Sequence, residues 1–171
     1  TLEVQGGLYD EQASGDADAA LLMQSLRSEW ALQPGRPFQQ STWDSAKNGV
    51  LATLRRNGYL GATWSGTAAQ VNADDNSVRL FVVADSGPLY RIGSLRTAGL
   101  ERYDESAVLP MARELIGKPA TEQVLRDVQD RLLNLGLFES VVIDVDAAAA
   151  DPGAAPALLA LRELTLQQAT V

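Results

Sequence analysis

The chain has 171 residues, 46% of them hydrophobic and 21% charged, which suits one medium folded domain or two small ones. A net charge of −8 and a pI near 4.5 argue against a nucleic-acid surface, because phosphate binding needs a basic face. Neither Cys nor His occurs, so disulfides, thiolate nucleophiles, the commonest general base and the commonest transition-metal ligand are all missing.

Leu2 to Gln5 reads as a short strand and Gly6 to Gly15 as a loop. Asp16 or Asp18 then caps a helix with the stripe Ala19, Leu22, Leu26 and Trp30. After Pro34-Gly35-Arg36-Pro37, Ser41 opens a second helix with Asp44 at capping-box spacing and the stripe Trp43, Ala46, Val50 and Leu54. Gly58 stops it. Thr63 to Val71 and Val78 to Val83 form a hairpin around the Asx-rich turn 72–77. Asp85-Ser86-Gly87-Pro88 is a link too short for independent tumbling.

The second half repeats this order. Tyr90 to Thr97 reads as a strand, with a bulge expected at Gly93. Asp104 caps a helix carrying Val108, Met111, Ala112 and Leu115, which Pro110 should kink or delay. Thr121 caps a second helix with the stripe Val124, Val128, Leu132 and Leu135, and Glu122–Arg126 and Asp127–Arg131 are i,i+4 pairs on its wet side. Gly136 ends it. In 141–146, Val141, Ile143 and Val145 face one way and Asp144 and Asp146 the other. Ala157 to Leu164 is the last strand. Two helices on one face of a three-stranded sheet make a two-layer α+β unit, so two tandem β-α-α-β-β domains are expected, at 1–86 and 87–171.

This repeat resembles the POTRA domain, the periplasmic module of outer-membrane assembly proteins. The residues that carry the resemblance are Gly87 to Arg96 as an opening strand, Gly99-Leu100-Glu101-Arg102-Tyr103-Asp104-Glu105 as entry to the first helix, and Gly117-Lys118-Pro119 with Leu133 to Val141 as the second helix and its exit. In the first copy, Lys47, Leu51, Gly58-Tyr59-Leu60 and Gly61-Ala62 match the equivalent helix and exit. The combination most resembles the last two POTRA domains of a TamA-type translocation and assembly factor, cut before its membrane barrel, with Arg162-Glu163-Leu164 and the residues to Val171 as the end of the last domain. The resemblance implies a place on the periplasmic face of the outer membrane of a diderm bacterium. The partners it implies are an inner-membrane-anchored protein similar to TamB and nascent barrel or autotransporter clients. Contact with the membrane would come only through the barrel that follows. A BamA-type insertase, a two-partner secretion transporter and a plain spacer are the alternatives.

Chemistry offers little. The acidic groups Asn72, Asp74, Asp75 and Asn76, or Asp144, Asp146 and Asp151, suit turns and lack EF-hand spacing. Ser45 and Lys47 point to different helix faces, and no Gly-x-Ser-x-Gly elbow is present. No enzymatic activity, metal or cofactor is expected. Trp30 and Trp43 fall on core stripes, whereas Trp64 lies in a strand and could be an exposed contact residue. The feature with functional promise is the sheet edge. If the closing strand of each copy is central, the hairpin's first strand is an edge, offering Thr63, Trp64 and Ser65 in one copy and Val141, Val142, Ile143 and Asp144 in the other. An extended partner strand could add there by backbone hydrogen bonds, tolerant of sequence. As an edge substitution, Val142→Pro is then expected to abolish assembly at normal protein level if the edge binds, and to be silent if the domains are a spacer. Gly87, Pro88 and Tyr90 form the interdomain link, expected to be rigid because Pro88 restricts it and Tyr90 packs across it.

Overall fold

The computed structural model describes residues 1–165 and divides into two compact units, Thr1–Leu89 and a second that starts at Tyr90. The segment expected to close the last domain, 166–171, lies outside the described residues.

In the first unit, strand β1 (Leu2–Gln5) is followed by helices α1 (Gly7–Ala13), α2 (Ala17–Ser28) and α3 (Gln40–Arg56) and the hairpin β2 (Thr63–Asn72) and β3 (Ser77–Asp85). The sheet order is β1-β3-β2, with β1 parallel to β3 and β2 antiparallel to it. The core lies between sheet and helices: Leu2, Val4 and Val82 meet Met23, Leu26 and Leu54. Trp30 and Trp43 are both buried and meet edge to face with centroids 6.4 Å apart.

Helix α1 replaces the loop expected over 6–15. Its N-cap, Gly6, has no side chain to cap with, so the local start signal is absent. Its first N–H groups are satisfied from far along the chain instead. Gly7 N donates to the Gly87 carbonyl at 3.0 Å and Leu8 N donates to Ser86 Oγ at 3.0 Å. A Cβ at Gly7 would lie 2.7 Å from that same carbonyl, so only glycine lets the two backbones approach. Segment 85–88, read as a link, is thus packed within the first unit. Ser86 is buried there, its N–H given to Gln5 O and its hydroxyl to Gly87 O.

Two further starts differ from expectation. Helix α3 begins at Gln40 with Gln39 as an uncapped N-cap, and the Ser41–Asp44 capping box does not form; Asp44 accepts from Gln40 Nε2 at 3.1 Å instead. Asp16, not Asp18, caps α2, accepting from Ala19 N at 2.7 Å.

The second unit runs through β4 (Ile92–Ala98), the short helix α4 (Leu109–Ala112) between two 3₁₀ turns, α5 (Glu122–Leu133), β5 (Phe138–Val145) and β6 (Ala155–Glu163). The order is β4-β6-β5, again with a parallel and an antiparallel pairing. Strand β4 starts at Ile92, two residues later than the expected Tyr90, because Tyr90 and Arg91 are engaged elsewhere. Tyr90 O accepts from Ala120 N, its hydroxyl donates to Ala147 O, and Arg91 bridges to Pro119. The register slips between Ile92 and Ser94, which places the bulge at Gly93. Pro110 sits in the first turn of α4, where its missing N–H costs no helical bond. Thr121 caps α5 through Val124 N at 3.2 Å. Glu122 pairs with Arg126, but Arg131 bonds Glu114 rather than the Asp127 carboxylate, tying α5 to the preceding 3₁₀ turn.

Glu163, at the end of β6, accepts from three successive backbone N–H groups, those of Glu101, Arg102 and Tyr103, at 3.0–3.1 Å. Partial desolvation pushes its pKa up, but those N–H groups and the Arg102 charge outweigh it and hold the carboxyl below its ordinary value. The hydrogen bond from Arg131 likewise holds Glu114 low, against some desolvation.

Two measurements check these tethers. Ser86→Ala strands the Leu8 N–H and is expected to cost the first unit about 1–2 kcal/mol in urea unfolding. A carboxyl with a depressed folded pKa binds protons more readily when unfolded, so its contribution is present above the unfolded value and is lost as pH falls through the folded one. Stability of the second unit should therefore drop on acidification below the ordinary carboxylate range. Glu163→Gln should be less stable than the parent at neutral pH, with the gap closing in acid.

Candidate functional site

The closing strand is central in both sheets, so β2 and β5 are edges with their outer backbone groups unpaired by any described residue. The side chains of β5 alternate: Phe138, Val141 and Ile143 are buried, while Val142 and Asp144 are exposed. The hydrogen-bond phase is fixed by Asp146 N, which donates to Pro156 O at 3.0 Å. Counting back in register, Val142 and Asp144 face their ladder partners Ala160 and Leu158. Val141, Ile143 and Val145 therefore turn their N–H and C=O groups to the free edge. The expected site residues thus divide by role: Val141 and Ile143 supply backbone groups, and Val142 and Asp144 supply the outward side chains. Position 142 does not block the edge when changed to proline; its N–H belongs to the ladder.

The β2 edge differs. Val82 N donates to Thr1 O and Ser86 N to Gln5 O, so even-numbered residues of β3 face β1 and odd-numbered residues face β2. Register then turns Trp64, and beyond it Thr67, Ala69 and Val71, toward the free edge. Between them the register slips at Ser65, whose hydroxyl donates to Val83 O at 3.2 Å. The expected trio Thr63, Trp64 and Ser65 therefore straddles a bulge and offers no continuous run of edge groups. Trp64 is half-buried and packs on the core, which overturns its reading as an exposed contact residue. The continuous edge of β2 is Thr67 to Val71, which the sequence reading passed over. Small exposed residues there carry no periodic apolar signal, and β2 is exposed from Ser65 to its end.

Electrostatics differ along β5. Arg162 Nε reaches Glu139 at 3.1 Å across the β5–β6 pair, neutralising one end. Asp144, farther along, leaves a carboxylate beside the unpaired edge. Charge at an edge discourages indiscriminate pairing. The acidic turns hold their own backbone: Asn72 accepts from Asp74 N, Asp75 from Ser77 N, Asp146 from Ala148 N and Asp151 from Gly153 N, all at 2.9–3.1 Å. Among the described residues no group of three acidic side chains is placed to hold a metal ion. Gly87 and Pro88 lie in the first unit and Tyr90 opens the second. No helix among the described residues is long and apolar enough to cross a membrane.

No protein-family model matches the chain. Solved structures do. Over 95% of its length the chain is similar to POTRA domains 3 to 5 of BamA from Haemophilus influenzae, with a TM-score of 0.60 and 21% identity. Over 84% it is similar to BamA from Haemophilus ducreyi lacking POTRA domains 1 to 3, with a TM-score of 0.59 and 17% identity. It spans 59% and 26% of the lengths of those two chains. The fold is that of tandem POTRA-like domains.

Two proline variants separate ladder from edge. Val142→Pro removes a ladder donor opposite Ala160 and is expected to cost more than about 2 kcal/mol in urea unfolding of the second unit. Val145→Pro removes an edge N–H without touching the ladder and is expected to cost less, with cooperative unfolding kept.

Proposed function

We propose that the chain is a periplasmic pair of POTRA modules from an outer-membrane protein assembly or secretion factor, and that it binds an extended partner segment by strand addition. The observation that supports this best is the β5 edge, an unbroken run of backbone groups at Val141, Ile143 and Val145 beside the exposed Val142 and Asp144. An added strand would use these groups without regard to its own side chains, which suits a module that handles many unfolded clients. The likeness in fold to BamA POTRA domains supports the same setting.

The finer reading is a TamA-type factor, with a TamB-like inner-membrane-anchored protein as partner and barrel or autotransporter precursors as clients. It rests on the resemblance of Gly99 to Glu105 and of Leu133 to Val141 to the last POTRA domain of that type. In this reading the chain passes from one module to the next between Leu89 and Tyr90, with Gly87 and Pro88 held in the first unit.

Photo-crosslinking in cells tests it, with the probe placed in turn at Thr63, Ser65, Val142 and Asp144 of the full-length protein. Crosslinks to a TamB-like protein from 142 and 144, with fewer from the bulged 63 and 65, are expected. Crosslinks to lipoproteins instead would support a BamA-type factor. Silence at all four positions in correctly folded protein would leave the domains as a spacer.

A further inference from the structure

The second sheet has an open face as well as open edges. Ala157, Leu159 and Leu161 of β6 are buried toward the helices, so the residues between them point the other way. Leu158, Ala160 and Arg162 are exposed there, with Arg96 and Ala98 of β4 on one side and Val142 and Asp144 of β5 on the other. Register sorts these side chains into rows across the three strands. Arg96, Leu158 and Asp144 form one row, and Ala98, Ala160 and Val142 form the next. Leu158 is 42% exposed and Val142 49%, so the middle of the face is apolar.

Charge decides what this face would take. Strands lie about 4.8 Å apart, so the backbones of Arg96 and Asp144 stand roughly 10 Å from each other with Leu158 between them. Among the described residues neither side chain has an ion-pair partner. Arg162, in line with Leu158, is already matched by Glu139 at 3.1 Å. The first row therefore reads positive, apolar, negative, and such a row is its own complement. A second copy laid face to face about a two-fold axis along β6 puts Arg96 of each copy over Asp144 of the other. The same axis sets Leu158 on Leu158 and the small Ala98 under the larger Val142. A two-fold axis at right angles to β6 would instead stack Arg96 on Arg96 and Asp144 on Asp144, which like charge disfavours.

We propose that the open face of the second sheet binds a second copy of this chain, by a two-fold contact that pairs Arg96 with Asp144 twice around a centre at Leu158. Three strands make a face smaller than the roughly 800 Å² per partner of a standard interface, so the dimer is weak and reversible. A segment of another protein would answer the apolar row, but only a second copy carries the matching order of charges by construction. The contact uses side chains and none of the outward backbone groups of β5, so the inference does not rest on strand addition.

The test is sedimentation equilibrium of the whole 171-residue chain at low salt, from about 10 μM to about 1 mM protein. The expected result is a reversible rise toward the dimer mass at the upper end, weakening with added salt. Arg96→Asp and Asp144→Arg, both at exposed positions, should each weaken self-association by about tenfold or more, because each sets like charges face to face. Mixed one to one, the two variants should associate as well as the parent, since every facing pair is then opposite again. Variants that had merely misfolded would not restore each other. A chain that stays monomeric at millimolar concentration, which would leave the face to a different protein, overturns the proposal. So do dimers indifferent to both substitutions, and a mixture that associates no better than its components.

Discussion

In each unit every ladder bond of the sheet passes through one strand, the last in sequence. Strand β3 pairs with β1 on one side and β2 on the other, and β6 does the same for β4 and β5. The parallel pairing of first and last strands needs a crossover, and the helices are that crossover. They lie on one face because both ends of the crossover belong to the same sheet. The buried residues of the central strands, Val82 and Ala84 in one unit and Ala157, Leu159 and Leu161 in the other, then face the helices. What remains unpaired follows by subtraction: the outer edges of the first strand and of the hairpin's first strand in each unit.

The two units use this common plan differently. Strand β4 pairs along β6 from Ala155 to Ala160, so the covered side of β6 is nearly complete. Strand β1 pairs with β3 from Val82 to Asp85. Each sheet has two edge strands, β1 and β2 in the first unit and β4 and β5 in the second. On β2 the bulge at Ser65 divides the edge into a stretch over the core, where Trp64 is tucked inward, and a stretch beyond it whose residues are exposed. A bulge both re-aims a side chain and interrupts pairing, so Trp64 contributes burial where it might have contributed contact.

How much of this is legible beforehand depends on whether the determining interaction is local. Helix α5 is readable because Thr121 supplies a cap three residues from Val124 and the stripe through Val128 and Leu132 repeats at helical spacing. Strand β5 is readable because burial alternates with the side chains. The Gly93 bulge and the early Pro110 are readable because glycine and proline act on their own backbone. Helix α1 is not, since its first N–H groups are satisfied by Ser86 and Gly87, nearly eighty residues away in sequence. The Arg131–Glu114 pair, the Glu163 cradle and the Ser65 bulge are likewise set by partners in distant segments. The candidate site shows the same division. Which strands form edges follows from strand order, but which residues turn their backbone outward depends on hydrogen-bond phase, and one residue of phase exchanges ladder for edge.

That exchange bears on how such a surface can be specific. A bare backbone edge reads almost nothing of its partner's sequence, so selectivity has to come from what flanks it. On β5 the flanking side chains are the exposed Val142 and the carboxylate of Asp144, while Glu139 is already engaged by Arg162. That edge should disfavour acidic segments and accept neutral or basic ones with alternate apolar residues. On an edge of this kind the outward backbone groups of Val141, Ile143 and Val145 would supply affinity and the two outward side chains the choice among partners.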